Sequence, residues 1–169
     1  EISPGREEEQ RISEEILEIA QKGKGTRCWD PYEPGIARSC FEKEVGNFSK
    51  LKTNLRETNP GQYHQELENY VFDLCKDKKK HTVGYLKHLV KSGKKPWVVF
   101  DNVDRGSESY QSFIYSFAHT IAKEARCVVI LTLRGDTYNH AREKGFLDVR
   151  NLDRIFTIDP PDLREVLSK

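Results

Sequence analysis

Lys94-Lys95-Pro96-Trp97-Val98-Val99-Phe100-Asp101-Asn102-Val103-Asp104-Arg105 decides the fold: an apolar run of strand length that stops abruptly in acids. With turn chemistry on both sides, such a run reads as a strand buried on both faces, as in a parallel α/β sheet. Its carboxylates then emerge at the C-terminal edge of the sheet, where open α/β folds bind ligands. Arg126-Cys127-Val128-Val129-Ile130-Leu131-Thr132-Leu133-Arg134 repeats the pattern and ends in Thr132 and Arg134. Between the two runs, Tyr110, Phe113, Ile114, Phe117, Ala118 and Ile121 make a helical stripe behind the capping pair Gly106-Ser107. That stripe predicts a crossover helix laid over the sheet.

Toward the C-terminus, Gly135-Asp136-Thr137 opens a short polar helix that runs to Lys144 and stops at Gly145. A third strand is expected from Arg154 to Ile158, and Asp159-Pro160-Pro161 opens a final helix that Lys169 cuts short. The order is strand, helix, strand, helix, strand, with right-handed crossovers. The fold class is therefore α/β, a mostly parallel sheet flanked by helices.

Toward the N-terminus, Thr82 reads as a cap for a helix that points Val83, Leu86, Leu89 and Val90 inward and ends at Ser92-Gly93. The run Asp77-Lys78-Lys79-Lys80-His81 reads as an exposed linker rather than a phosphate tracker. Leu67, Tyr70, Val71, Leu74 and Cys75 share one face of a preceding helix. From Gly23 to Gly61 the pattern is weak: Trp29, Tyr32, Phe41, Phe48 and Leu51 scatter among prolines and glycines, with one short helix from Ala37 to Val45. Before it, Ser3-Pro4 starts a helix with Ile12, Ile16, Leu17 and Ala20 on its apolar stripe. Residues 1–61 are thus a helix plus an irregular insertion or lead-in segment, and residues 62–169 hold the ordered α/β part.

Composition excludes several functions. A chain of 169 residues with 36% apolar content buries one core, and 28 basic against 27 acidic side chains leave a net charge of +1. No global field draws it to nucleic acid, so a nucleic-acid partner is not expected. Membrane partners are not expected either, because no apolar run approaches bilayer length and no signal-peptide core is present, which points to the cytoplasm. Cys28, Cys40, Cys75 and Cys127 lack metal-ligand or disulfide-framework spacing and read as reduced thiols, with Cys75 and Cys127 in the core. The chain begins at Glu1 and contains no Met, so it reads as a piece of something longer.

Trp97 to Arg105 resembles the Walker B strand of P-loop NTPases, and hhhhDNxD before a helix rich in Phe and Ala is similar to the signal-transduction ATPases of the STAND class. Leu131-Thr132-Leu133-Arg134 resembles their sensor element, and Arg154 to Leu163 resembles their last core strand leading into a helical subdomain. The likeness covers residues from about Leu67 to Lys169 and makes 62–169 the Walker B and sensor half of an incomplete P-loop NTPase core. It implies ATP and Mg²⁺ as cofactors, with Asp101 orienting the metal, largely through water. Arg134 would meet the terminal phosphate and Thr132 would support that network. Asn102 stands where many relatives carry a second acid. It can orient a water but not deprotonate it, which leaves Asp104 as the candidate base and implies slow hydrolysis suited to a switch.

The phosphate loop GxxxxGK[ST] is absent, and Gly23-Lys24-Gly25-Thr26 lacks both the leading Gly and the hydroxyl after the lysine. A missing N-terminal phosphate-loop segment is therefore the first partner expected, with protein partners or self-assembly in the full-length protein, and weak or no ATP binding by this chain alone. A purely structural alternative exists for each acid: helix capping, or pairing of Asp104 with Arg105 or of Asp101 with Arg134. Two rival functions stay open at this point. One is a metal-dependent nuclease of the PIN or NYN kind using Asp101, Asp104 and Asp136. The other is a non-enzymatic interaction module presenting Trp29, Tyr32 and Phe41.

Overall fold

The computed structural model describes residues 4–23 and 29–143. In chain order these form α1 (Pro4–Lys22), α2 (Pro34–Cys40), α3 (Glu42–Leu51), α4 (Thr53–Thr58), α5 (Pro60–Leu74), α6 (Lys78–Lys91), β1 (Trp97–Phe100), α7 (Glu108–Ala125), β2 (Val128–Leu131) and α8 (Gly135–Glu143). A 3-10 turn, Val103–Arg105, links β1 to α7. The expected third strand at Arg154–Ile158, the helix after Asp159 and the Gly145 stop lie outside the described residues, as do Cys28 and Lys24 to Thr26.

Helix α6 runs through the middle of the molecule. All six residues from His81 to Leu86 are buried, so these turns have no wet face. Helix α1 packs on one side of α6, α2 on another, and α7 shares its core. Tyr85, Leu86 and Leu89 join Ile12 and Leu17 of α1, Val98 of β1 and Ile114, Phe117 and Ile121 of α7 in one cluster. A second cluster gathers Ala37, Phe41, Tyr63, Leu67, Val71 and Cys75 from α2 and α5. The polar residues of α6 spend their donors on neighbouring carbonyls: Thr82 Oγ1 donates to Ser13 O at 2.9 Å, and His81 Nε2 lies 3.0 Å from Pro31 O.

Residues 23–61, expected to be largely irregular, are mostly helical where described. The single helix expected over Ala37–Val45 is two, broken at Phe41, whose φ of −120° and ψ of 38° turn the chain so that its ring enters the second cluster. Buried apolar residues thus sit at the bend as well as on the faces, which erases the period a sequence reading looks for. The lysine run is likewise no linker. Asp77 caps α6 by accepting from Lys80 N at 3.1 Å, and Lys78 to Lys80 form its first turn, while Thr82 lies buried inside the helix rather than capping it. Acids of α1 make that turn tenable, with Lys79 Nζ 2.6 Å from Glu9. Cys75 is buried as expected, whereas Cys127 and Cys40 are half-buried, and these three thiols are free.

Strands β1 and β2 pair in parallel with Trp97 opposite Val128 and Phe100 opposite Leu131, and form the only sheet among the described residues. The expectation of strands buried on both faces is met on one side. Val98 is buried and Phe100, Val129 and Leu131 pack against the first cluster under α7, whereas Trp97, Val99 and Val128 are 65%, 56% and 45% exposed. The crossover helix itself is as expected: Ser107 Oγ accepts from Tyr110 N, and Ile114, Phe117, Ala118 and Ile121 are buried.

Two predictions follow from the central helix. A Cβ at Gly84 would lie 2.4 Å from the carbonyl oxygen of Cys40, so α2 crosses α6 where α6 has no side chain. Gly84→Ala should cost about 1–3 kcal/mol by overpacking against backbone, whereas Gly35→Ala, with nothing within 4 Å, should be neutral or better in urea unfolding. Equal stability of the two variants would refute this crossing.

The second concerns His81, which is fully buried with Nδ1 unpartnered. Burial lowers its pKa, the bond to Pro31 opposes that, and nearby Lys78 lowers it further. The folded state therefore disfavours the protonated ring. The stability it contributes is complete above the unfolded value of 6.5 and falls as pH drops from there toward the depressed folded value. Urea midpoints measured from pH 7.5 down to pH 5 should decline more steeply in the parent than in His81→Gln; parallel slopes would remove His81 as the cause.

Candidate functional site

The segments leaving the C-terminal ends of β1 and β2 carry the five residues the resemblance selected: Asp101, Asn102, Asp104, Thr132 and Arg134. Parallel register puts Phe100 and Leu131 opposite each other, so Asp101 and Thr132 leave the sheet as neighbours. Thr132 N–H continues the ladder by donating to Phe100 O at 3.0 Å. The Thr132 hydroxyl donates to Asp101 Oδ1 and accepts from Asn102 N–H at 3.0 Å. Asn102 N–H also reaches Asp101 Oδ1 at 2.9 Å, and its side-chain amide donates to Asp101 Oδ2 at 3.0 Å.

Asn102 has φ 56° and ψ 35°, the left-handed region that asparagine tolerates better than most side chains. That conformation folds the chain back at once into the 3-10 turn. Val103 is buried under the edge of the sheet, and Asp104 is directed toward the second strand's exit. There Arg134 Nε lies 2.9 Å from Asp104 Oδ2. The pair is asymmetric: the Arg134 side chain is 74% exposed and that of Asp104 only 8%. Of the pairings considered from sequence, neither Asp104 with Arg105 nor Asp101 with Arg134 is the one formed.

Gln111, which the sequence reading passed over, holds this turn from α7. Its amide donates to Gly106 O at 2.9 Å and to Asp104 O at 3.5 Å. The available signal was a polar residue one turn into a helix, next to the stripe that faces the core. Asp136 is exposed in the first turn of α8.

A carboxylate offers about four acceptor positions, and three contacts from Asn102 and Thr132 occupy most of those on Asp101. What remains suits an outer contact through water rather than direct chelation. Consistently, no group of three or more His, Cys, Asp and Glu among the described residues is arranged to hold a metal ion.

The other groups named from sequence go elsewhere. Phe41 is 2% exposed, and Tyr32 is half-buried with its ring edge against His81 at 5.0 Å. Only Trp29, 38% exposed, shows much of its ring, and Lys94 Nζ covers that ring at 4.0 Å. The aromatic partner surface expected from these three residues is therefore mostly interior. A groove of about 610 Å³ is lined by residues of α1, α2, α3 and α6 with Glu124 of α7, and none from the strand edge. Four of its five lysines are paired with acids: Lys79 with Glu9, Lys80 with Asp77, Lys87 with Glu124 and Lys91 with Glu42. Burial pushes the Cys40 thiol in this groove up to about 12, so it is no nucleophile at neutral pH.

No family model, curated protein or solved structure matches this chain. No helix among the described residues is long and apolar enough to cross a membrane.

The Thr132 hydroxyl serves both Asp101 and the left-handed Asn102, so removing it should loosen both strand ends. Thr132→Val, which keeps the shape, should lose about 0.5–1.5 kcal/mol as two hydrogen bonds between exposed groups are exchanged for bonds to water, while Thr132→Ser should stay within a few tenths of the parent. Chemical denaturation measures both. A Val variant as stable as the Ser variant would leave the hydroxyl without a structural role.

Proposed function

We propose that this chain is the acid-and-arginine half of an ATP-dependent signalling switch of the STAND type. The single observation that supports the reading most is the meeting of the two strand ends, Asp101 with Thr132 and Asp104 with Arg134, on one edge of a parallel sheet. Two independent sequence features, a strand ending in acids and a strand ending in Thr and Arg, fall together at the place where open α/β sheets carry their ligands.

On this reading Asp101, steadied by Thr132 and Asn102, would be the residue that holds Mg²⁺, and the ion would supply charge neutralisation on the phosphate chain. Arg134 exchanges Asp104 for the terminal phosphate, where a guanidinium makes paired charge-assisted bonds. Asn102 orients the attacking water, and Asp104, released by Arg134, accepts its proton. The triphosphate needs successive backbone N–H groups and a loop lysine, and this sequence has no phosphate loop to give them. Chain beyond this sequence supplies that cradle.

The nuclease alternative has less support. It needs Asp101, Asp104 and Asp136 around shared metal ions, and among the described residues no such metal-holding group occurs.

Isothermal titration of Mg-ATP into this chain and into an N-terminally extended form, run beside an RNA cleavage assay, tests the proposal. Heat of binding should appear only on extension, and Asp101→Asn in the extended form should weaken binding with Mg²⁺ far more than without it. Cleavage of RNA without nucleotide would overturn the switch in favour of the nuclease. Absence of binding in both forms would leave the interaction module instead.

A further inference from the structure

Parallel sheets are ordinarily covered on both faces. Here Val98, Phe100, Val129 and Leu131 turn toward the cluster under α7. Alternation along each strand sends Trp97 and Val99 of β1, and Val128 and Ile130 of β2, to the opposite face. Parallel register sets Trp97 beside Val128 and Val99 beside Ile130, a square of four apolar side chains. Trp97, Val99 and Val128 are 65%, 56% and 45% exposed. Other large exposed apolar residues, such as Ile19, Leu51 and Phe72, belong to three different helices.

The two ends of this face differ in charge. Val128 N–H donates to Pro96 O at 3.3 Å, so the strand starts lie side by side and bring Lys95 and Arg126 to one end. Both are exposed, and neither forms an ion pair among the described residues. Asp101, also exposed, leaves β1 at the other end. An apolar centre edged by polar groups is the anatomy of a protein contact, and Trp and Arg are the residues that most often dominate its energy.

Size and charge together select the occupant. Strands of four residues at about 3.3 Å rise and 4.8 Å spacing make a footprint roughly 13 Å long and 10 Å wide. A stable dimer needs about 800 Å² from each partner, so a second copy seated here has too little to hold. An anionic bilayer laid on the face would meet Asp101 as well as Lys95 and gain little. One amphipathic helix of about two to three turns matches both dimensions. Acids confined to one end of that helix would meet Lys95 and Arg126 and leave Asp101 alone.

We infer that the Trp97–Val99–Val128–Ile130 face docks an amphipathic helix of a partner protein, its apolar stripe on the square and its acidic end over Lys95 and Arg126. The inference is independent of nucleotide binding and stands or falls by itself. So small a footprint makes the contact transient, and charges at its rim make association sensitive to salt.

The probe is a synthetic helix of about four turns with leucine at i, i+3, i+4 and i+7 and glutamate gathered at one end. Its counterpart carries lysine in place of glutamate. The chain has two tryptophans, so Trp29→Phe leaves Trp97 as the emitter. The glutamate helix should shift Trp97 emission to the blue saturably and protect it from acrylamide, less so as salt rises. Lys95→Glu, outside the strand, should weaken binding several-fold. Adding Arg126→Asn should weaken it further; asparagine tolerates the φ of 56° at that position. Phe72→Ser, which removes an exposed ring of α5, should change nothing. Equal binding of the lysine helix, or no loss in either charge variant with far-UV circular dichroism unchanged, overturns the inference. So does a Trp97 already blue-shifted and shielded in the free chain; shielding that grows with protein concentration would give the face to a second copy. A blue shift on phosphatidylserine vesicles but not on the peptide would give it to a membrane.

Discussion

The close crossing of α2 over α6 at Gly84 is the constraint from which the rest of the described structure follows. A helix buried all round between His81 and Leu86 must let its neighbours approach nearer than ordinary side chains allow, and the missing Cβ at Gly84 admits the Cys40 carbonyl. Around that point the polar groups of α6 tie down what surrounds them. Thr82 fixes α1 through Ser13 O, while His81 and Tyr85 fix the segment before α2 through Pro31 O and Trp29 O. These bonds satisfy buried donors, and their loss would leave groups whose desolvation costs more than the bonds return. The same residues therefore set both the compactness of the helical part and its register.

From α6 the order propagates to the strands. Leu86 and Leu89 share a cluster with Ile114, Phe117 and Ile121 of α7, and that cluster also takes in Val98, Phe100, Val129 and Leu131. A sheet of only two short strands has little stability of its own, so its position is set by the helices beneath it. The strand ends are then organised locally, Asp101 and Thr132 by direct hydrogen bonding and Asp104 by the left-handed turn at Asn102. Precision at the edge is thus inherited in two steps, core to strand and strand to tip.

The ordered half was legible because its residues obey simple periods. Trp97–Phe100 and Val128–Leu131 are uninterrupted apolar runs, and the stripe from Tyr110 to Ile121 keeps helical spacing throughout. The meeting of Asp101 with Thr132 needed only parallel register to be foreseen. Residues 34–58 were opaque for a physical reason: Phe41 is buried at a helix junction and Leu51 is 85% exposed on a helix, so apolar identity and burial part company. The lysine run misled because its partners, Glu9 and Glu14 of α1, lie some seventy positions away. Ion pairing across elements is invisible to a local reading. So is the partner choice of Arg134, which pairs with the largely buried carboxylate of Asp104.

On the proposed reading, that choice would bear on how the edge acts as a switch. Arg134 is largely in water, so its attraction to Asp104 is screened and a multiply charged phosphate competes for it at small cost. Asp104 is different, because a carboxylate only 8% exposed is poorly solvated once its guanidinium leaves. For the proposed phosphate ligand, the exposed partner would therefore depart easily and the poorly solvated one would draw it back once the ligand left. A pair buried at both ends would resist exchange, and a pair exposed at both ends would store no preference. With one end of each kind, the resting arrangement is defined and still exchangeable, and in the proposed switch the ligand's own differential affinity would set the balance between the two.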